Sequence, residues 1–226
     1  MFNTKYINKE IGNVKPTEQG WMWPEPDNYF LWFEETIPHY LDAYRAFGKD
    51  FRVAIQAGGH CGVYPRMMAT LYETVYTFEP DTDSFHCLVN NCQLTNIKKL
   101  NAALGNNREL VYQTLKAGYN VGVNQFATQT QSPTTKYVDV EEREETALVN
   151  IPQIRIDDLG LTHCDLIHLD VEMSEEQAIA GAVNTIQRCK PLLVLETVPP
   201  QWLDFFASVG YRRVNAEYCG DTFFAC

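Results

Sequence analysis

The sequence predicts an α/β fold with a mostly parallel sheet, and three patterns support this class. Short apolar runs of the kind that form strands covered on both faces recur from residue 52 onward. Helical patterns alternate with these runs, which favours parallel strands joined by right-handed crossovers. Residues 211–215 and 222–225 form two strand-like segments around a short turn, so a hairpin is expected to add one antiparallel strand at the C-terminal end. The apolar runs are 53–55, 75–78, 166–169 and 192–195.

Two helices of the α/β part are marked by their apolar spacing and their caps. Phe85, Leu88, Val89 and Cys92 predict one helix, capped by Asp81 or Thr82. Ser174 and Gln177 predict a capping box at the start of a second helix, whose apolar face runs from Ala178 to Ile186 and which ends before Pro191.

Residues 1–50 are predicted to be a helical, aromatic cap, separate from a domain over 51–226. Aromatic and aliphatic residues recur at three- and four-residue intervals from Tyr29 to Tyr44, which predicts an amphipathic helix. Pro38 lies inside that pattern and is expected to split the helix in two, since proline removes one helical hydrogen bond and clashes with the preceding turn.

Composition excludes several classes of function. The formal net charge of −11 argues against general binding to nucleic-acid phosphates. The seven cysteines form no Cys-x-x-Cys pair, which argues against a zinc knuckle or a thioredoxin-like motif, and their scatter favours a reducing compartment. No stretch is apolar enough for a membrane span or a signal peptide, so a cytoplasmic protein is expected. The oligomeric state is not predicted.

A glycine-rich turn follows the first strand and precedes a helix that begins near Val63. Gly58, Gly59 and Gly62 allow the backbone to turn sharply and to approach a ligand closely. Their spacing matches neither the dinucleotide-binding Gly-x-Gly-x-x-Gly pattern nor a phosphate-binding loop ending in Gly-Lys-Ser/Thr. A purely structural tight turn is the alternative.

Carboxylates follow the second and the fourth strands. Glu79, 21 positions after Gly58, is placed to accept the two hydroxyls of a ribose, although it could also cap the next helix. Asp170 and Glu172 are expected at the carboxyl edge of the sheet, where they could orient a substrate or the ammonium of a cofactor, or accept a proton. The alternative is a pair of acids solvated at the surface. His168 could act as a general base or be a packed strand residue. The other histidines show no metal-ligand spacing, and no metal is expected. A divalent ion between Asp170 and another acid is the alternative.

Six segments resemble, in order, successive blocks of the FkbM family of methyltransferases, over about residues 50–226. They are 56–62, 78–80, 101–105, 156–159, 165–172 and 195–196. The resemblance implies a Rossmann-like class I methyltransferase fold: a mostly parallel seven-stranded sheet with a C-terminal antiparallel hairpin and helices on both faces. It also implies S-adenosyl-L-methionine as the cofactor.

The resemblance implies a role for each site residue. The turn from Gly58 to Gly62, with Gln56 before it, would hold the methionine end of the cofactor, and Glu79 the ribose. Asn101 and Ala102 would lie by the adenine. Asp170 and Glu172 would face the site of methyl transfer, with Asp170 or His168 as the base. The sequence departs from the family at Gln56, where an acid is usual, at His168, where lysine is usual, and at Met173, where glycine is usual.

These observations predict an S-adenosylmethionine-dependent methyltransferase that acts on an oxygen or nitrogen nucleophile. The resemblance implies methylation of a hydroxyl on a small molecule or sugar. A nicotinamide-dependent oxidoreductase and a catalytically decayed cofactor-binding protein are the alternatives. Residues 118–135 carry no charge and are rich in Asn, Gln, Thr and Ser. They are predicted to form a mobile loop that selects the acceptor, the alternative being a surface excursion without function.

Overall fold

The computed structural model describes residues 14–24, 30–115, 125–128, 150–216 and 219–226. The strands are β1 (Val14–Pro16), β2 (Met22–Pro24), β3 (Val53–Ala57), β4 (Thr74–Phe78), β5 (Ile97–Leu100), β6 (Ala103–Leu104), β7 (Leu110–Leu115), β8 (Gln125–Thr128), β9 (Asn150–Ile154), β10 (Leu166–Leu169), β11 (Leu192–Leu195), β12 (Arg212–Val214) and β13 (Thr222–Ala225). The α-helices are α1 (Phe30–Phe47), α2 (Val63–Met68), α3 (Thr82–Asn91), α4 (Glu175–Ala180), α5 (Val183–Cys189) and α6 (Leu203–Ser208). Short 3-10 helices cover Ile156–Leu159 and Pro200–Trp202.

A seven-stranded sheet in the order β12-β13-β11-β10-β3-β4-β5 forms the centre of the molecule. The pairs from β11 to β5 are parallel, and β13 is antiparallel to both β11 and β12. This confirms the predicted sheet and its closing hairpin. The strand order reverses direction between β3 and β10, and in open α/β sheets ligands bind at the carboxyl ends of the strands beside such a reversal.

Alternating side chains of the central strands pack into two cores, one on each face of the sheet. On one face, Leu166 and Val194 contact a cluster that includes Tyr40 and Tyr44 of α1. On the other face, neighbouring strand residues pack against α4, α5 and α6. The second core includes Ile55, Ile167, Leu193, Ile179, Ile186 and Phe206. Because both faces are covered, the central strands are mostly apolar on both sides, as the sequence shows.

Helix α1 is one continuous helix, and the prediction that Pro38 would split it was wrong. Pro38 is exposed, whereas Tyr40 and Tyr44 in the next turn are almost fully buried against the sheet. The packing of that second half offsets the hydrogen bond that a proline removes. The division of the chain at residue 50 stays a prediction, although α1 shares a core with the sheet.

The helix predicted between Ser174 and Pro191 is divided into α4 and α5, and its capping box does not form. Ser174 is the N-cap residue of α4, but within the described residues its side chain accepts no capping hydrogen bond. Asp157, which precedes both helices in the chain, causes the division: its N–H donates to the carbonyl of Gly181 (2.9 Å), and its carboxylate accepts the N–H of Thr185 (2.8 Å). A carboxylate bound to the first turn of a helix acts as a cap, so α5 begins anew at Val183.

A second sheet has the order β6-β9-β7-β8. Strand β8 pairs antiparallel with β7, so Gln125–Thr128 are regular structure, and the expectation of an irregular loop was wrong there. The rest of 118–135 lies outside the described residues, and its proposed mobility and role in selecting the acceptor stay predictions.

Candidate functional site

The glycine turn after β3 is packed directly against the backbone that follows β10. Gly58 has a φ of 79°, and a Cβ there would overlap the carbonyl of Asp170. The N–H groups of Gly58 and Gly59 donate to the carbonyl of Phe78, at 3.1 and 2.9 Å. Glycine at position 58 is therefore required both by its backbone angle and by this contact. As a result, the ends of β3, β4 and β10 meet at one turn.

Gln56 supports this turn from within the sheet. Its side chain is fully buried, and its Nε2 donates to the carbonyls of Ala57 (3.1 Å) and Gly58 (2.8 Å). Its Oε1 accepts the hydroxyl of Thr77 at 2.6 Å. A neutral amide can both donate and accept in this way, whereas the acid usual in the family could only accept.

Gly59 and Gly62 allow close packing on the other side of the turn. A Cβ on Gly59 would lie 2.5 Å from Cδ1 of Leu88, and one on Gly62 would lie 2.5 Å from Sγ of Cys92. Gly62 also has a φ of 95° and is the N-cap residue of α2. These two glycines let α3 pack closely against the turn.

Glu79 lies at the tip of β4, and its carboxylate joins two turns. Oε2 accepts the N–H of His60 at 2.6 Å, and Oε1 accepts the N–H of Asp81 at 2.7 Å. Burial is the main cause that raises the pKa of Glu79 to about 8, with the nearby charge of Asp81 adding to it. Each oxygen keeps a lone pair beyond the one used, so the group can still accept further hydrogen bonds. The alternative that Glu79 caps the next helix is wrong, because the side chain of Asp81 caps α3.

Asn101 and Ala102 lie where β5 ends, next to Glu79. Nδ2 of Asn101 donates to the carbonyls of Glu79 (2.8 Å) and Pro80 (3.2 Å), so Asn101 shapes the turn that carries the carboxylate. Ala102 is buried in the core on the α4 face of the sheet.

Asp170, Glu172 and Glu196 form an acidic cluster at the carboxyl ends of β10 and β11. One ligand oxygen of each lies within 4.8 Å of the others. Burial is the largest cause that holds the pKa of Asp170 well above its usual range, and the charge of Glu196 and a hydrogen bond to it add to this. Burial, followed by the charge of Glu196, raises the pKa of Glu172 to about 7.

Carboxylates this close repel one another when all are ionised, so a shared proton or a bound cation would stabilise the cluster. The oxygen ligands of the cluster suit a divalent ion such as Mg²⁺. A proton held by Asp170, whose pKa lies well above its usual range, is the other arrangement. The expectation that no metal is used therefore stays a prediction.

His168 is fully buried in β10, on the face of the sheet that packs against α1. Its Nδ1 lies 2.7 Å from the hydroxyl of Tyr44, and its Nε2 lies 2.8 Å from Oδ2 of Asp221. The ring of Tyr40 stacks on it, with the ring centroids 5.7 Å apart. These contacts are those of a packed, hydrogen-bonded strand residue, which was one of the two interpretations of the sequence.

Three acids at this edge were not among the predicted site residues: Glu175, Glu196 and Asp221. Glu196 follows β11 directly, as Asp170 follows β10, and this equivalent position was the signal available in the sequence. Asp221 precedes β13, whose antiparallel direction brings its start to the edge where the parallel strands end. Glu175 is 1% exposed and accepts the N–H of Val171 at 3.2 Å.

Two consecutive residues beside the cluster have positive φ angles, 42° for Glu172 and 69° for Met173. Residues with a Cβ rarely adopt this region, and the glycine usual in the family at position 173 would do so without strain. The side chain of Met173 is 59% exposed, so it presents an apolar surface next to the acids.

The model of the Methyltransferase FkbM domain matches residues 59–213. The chain belongs to this family. The match includes the turn from Gly59, together with Glu79, Asp170 and Glu196, and it extends over most of the Rossmann-like class I methyltransferase fold described above. Among curated proteins, none matches the chain.

Solved structures with a similar fold include several methyltransferases. A methyltransferase FkbM from Methylobacillus flagellatus is 15% identical with a TM-score of 0.48, over 82% of this chain and 50% of its own. This FkbM-family chain therefore spans half the length of that protein. Precorrin-6y C5,15-methyltransferase from Geobacter metallireducens is 13% identical with a TM-score of 0.44, over 84% and 85%. Magnesium protoporphyrin IX methyltransferase from Synechocystis, solved with bound SAM, is 8% identical with a TM-score of 0.39, over 86% and 76%.

Helices long and apolar enough to cross a bilayer are absent from the part of the chain that the structure describes.

Proposed function

We propose that this FkbM-family chain is an S-adenosylmethionine-dependent methyltransferase that methylates a hydroxyl group on a small molecule or sugar. One observation carries the proposal: the glycine turn contacts both Glu79, the proposed ribose ligand, and Asp170 of the acidic cluster. Glu79 is hydrogen-bonded to this turn at His60, and Asp170 contacts it at Gly58. A donor bound along the turn would therefore lie beside the carboxylates.

The residues around the turn fit the chemistry of the cofactor. Gly58 and Gly59 let the turn pack closely against Asp170 and Leu88, and Glu79 offers carboxylate oxygens to two ribose hydroxyls. In this proposal, Gln56 and Asn101 act indirectly, since their amides hold the turns on which the glycines and Glu79 lie. When bound, S-adenosylmethionine supplies an electrophilic methyl group on a sulfonium centre.

The acidic cluster would bind the acceptor and take its proton. A hydroxyl is a weak nucleophile, so a nearby base that accepts its proton in the transition state accelerates transfer. The carboxylates of Asp170, Glu172 and Glu196 have ligand oxygens within 4.8 Å of one another, so more than one of them can contact the same acceptor hydroxyl. In this proposal Asp170 would act as the base, and Glu172 would orient the acceptor.

His168 has a supporting part in this proposal. Its ring is fully buried, with its two nitrogens facing Tyr44 and Asp221. From this position it can hold the end of β10, and thereby Asp170, in place.

Calorimetry with S-adenosylhomocysteine and with NAD tests the choice of cofactor. We expect S-adenosylhomocysteine to bind and NAD not to bind. Glu79→Ala should weaken binding substantially, because each charge-assisted hydrogen bond to ribose contributes roughly 1.5–3 kcal/mol. Unchanged affinity in a folded Glu79→Ala variant would remove this cofactor assignment.

A screen with methyl-labelled S-adenosylmethionine and panels of hydroxylated and amine acceptors tests the reaction. Label transferred to a hydroxyl group supports the proposal, and transfer only to amines contradicts the O-methylation part. Binding of the cofactor without transfer to any acceptor would favour a decayed enzyme.

A further inference from the structure

The N-terminal hairpin of β1 and β2 packs on the outer side of the glycine turn. Trp23 at its end is 3% exposed and lies in a small core with Cys61, Val63 and Cys87. The indole ring of Trp23 meets the imidazole of His60 edge to face, with the ring centroids 5.0 Å apart and the planes at 79°. A segment outside the central sheet thus contacts the loop on which the proposed cofactor site depends.

Asn91, the last residue of α3, ties this hairpin to the turn with one side chain. Its Oδ1 accepts the N–H of Met22 at 2.8 Å, and its Nδ2 donates to the carbonyl of Met22 at 2.8 Å. The same Nδ2 donates to the carbonyl of Cys61 at 2.7 Å. An amide can satisfy both groups of one residue and a third group besides, which a carboxylate or a hydroxyl could not do in this arrangement.

The backbone between these contacts is strained. His60 has a φ of 44°, a region that residues with a Cβ enter at a cost of roughly 1–3 kcal/mol. Such a conformation persists only where the surroundings impose it. Here the N–H of His60 donates to Oε2 of Glu79 at 2.6 Å, while Trp23 packs on its ring and Asn91 holds the next carbonyl.

We infer that the hairpin is part of the cofactor site. Trp23 and Asn91 are positioning residues, because they hold His60 so that its N–H orients the carboxylate of Glu79. This inference rests on the proposed binding of the cofactor ribose by Glu79. It extends the site to the chain before residue 50, to which the sequence pattern assigned no role in binding.

The first test is a double-mutant cycle read by calorimetry with S-adenosylhomocysteine. Asn91→Ala should weaken binding about tenfold, which is the size of effect expected if the hydrogen bond from His60 to Glu79 is lost. Trp23→Leu should cause a smaller loss of affinity. Asn90→Ala is the matched control, because Asn90 is exposed on the same helix and its amide bonds to His86 of that helix. This control should bind as the parent does.

The cycle separates positioning from general stability. If Asn91 acts through Glu79, its replacement should change affinity less than twofold in a Glu79→Ala background, since interacting residues are not additive. Trp23→Phe should restore most of the affinity that Trp23→Leu loses, because it keeps an aromatic edge against His60. Equal losses in both backgrounds would overturn the inference, as would parental affinity in Asn91→Ala.

Hydrogen exchange on the unaltered protein provides a test that needs no variant and no ligand. In mild denaturant, the N–H groups of Met22 and His60 should become exposed with the same free energy, because both depend on Asn91 and the docked hairpin. A His60 amide that stays protected after Met22 has opened would overturn the inference. If S-adenosylhomocysteine does not bind at all, the proposed cofactor fails, and this exchange result still decides whether the hairpin holds the turn.

Discussion

Gly58 and Asp170 are in contact through their backbones, and no residue larger than glycine fits at position 58. A Cβ at position 58 would overlap the carbonyl of Asp170, while the N–H of Asp170 donates to the carbonyl of Ala57 at 3.1 Å. The contact fixes the distance between the turn that we propose for the cofactor and the acids that we propose for the acceptor. Methyl transfer requires such fixed placement, since positioning supplies much of the acceleration in a displacement reaction.

Gly58→Ala should therefore destabilise the protein by more than the cost of its backbone angle. Gly210→Ala is the matched control: its φ is 92°, and no described atom lies within 4 Å of the added Cβ. A positive φ alone costs roughly 1–3 kcal/mol. We expect Gly210→Ala to fall in that range in urea unfolding and Gly58→Ala to lose clearly more. Equal losses for the two variants would show that the turn can move away from Asp170.

The affinity for S-adenosylhomocysteine should increase with pH. Burial raises the pKa of Glu79 to about 8, so its carboxyl is mostly protonated at pH 6.5. Ribose hydroxyls bind more strongly to the carboxylate, and the ligand must therefore displace a proton below pH 8. Affinity measured by calorimetry should increase up to about tenfold per pH unit from 6.5 to 8 and then level off.

Glu79→Gln serves as the reference for this pH series, because it has the same shape and cannot ionise. Its affinity should be lower at pH 8.5 and should lack the part of the pH dependence that Glu79 causes. The same slope in both proteins would place the titrating group elsewhere.

The sequence was sufficient for the features that depend on local patterns. The apolar runs predicted the central strands, and the glycines after β3 predicted a sharp turn, in which Gly58 and Gly62 have positive φ angles. The strand pattern predicted that Glu79, Asp170 and Glu172 would lie at the carboxyl ends of their strands, but it did not predict Glu175, Glu196 or Asp221. Each of these predictions follows from a few neighbouring residues and from the rule that parallel strands end at the same edge.

The sequence was insufficient where distant residues meet. The division of α4 from α5 depends on Asp157, which caps α5 from another segment. Asn91 carries no local sign that its amide will hold Met22 and Cys61. The position of Asp221 beside His168 follows from the antiparallel direction of β13. Such contacts are set by the packed fold, and hydrophobic spacing does not encode them.

The buried acids Glu172 and Glu175, at the edge of the sheet that carries the acidic cluster, should make the protein less stable as pH rises. Burial raises the pKa of Glu172 and of Glu175 to about 7, whereas both lose their protons near 4.5 in the unfolded chain. Between these values the folded protein holds more protons, so the free energy of unfolding should fall from about pH 4.5 to about pH 7. A pKa that is higher by one in the folded chain than in the unfolded chain corresponds to at most about 1.4 kcal/mol, and the partial exposure of Glu172 reduces its share.

Glu172→Gln should flatten this fall and raise the thermal midpoint at pH 7.5. Glu176→Gln is the control, since Glu176 is an exposed residue close by in the chain. A divalent cation bound by Asp170, Glu172 and Glu196 would change the result, because added Mg²⁺ would then stabilise the parent and not Glu172→Gln. Identical pH curves for the parent and Glu172→Gln, with and without Mg²⁺, would contradict the proposed crowding of charges.

The hydrogen bond between Tyr44 and His168 should matter for stability and not for cofactor binding. Both side chains are fully buried, and the Tyr44 hydroxyl lies 2.7 Å from Nδ1 of His168. Tyr44→Phe leaves that nitrogen without its partner and should cost about 1–3 kcal/mol in urea unfolding. Tyr72→Phe is the matched control in the same core, because among the described residues its buried hydroxyl has no hydrogen-bond partner, and its loss should be neutral or stabilising. Affinity for S-adenosylhomocysteine should stay within about twofold in both variants, since His168 packs on the α1 face and the glycine turn keeps its own contacts. If Tyr44→Phe instead folds with parental stability but loses methyl transfer, the alternative that His168 is the general base would be supported.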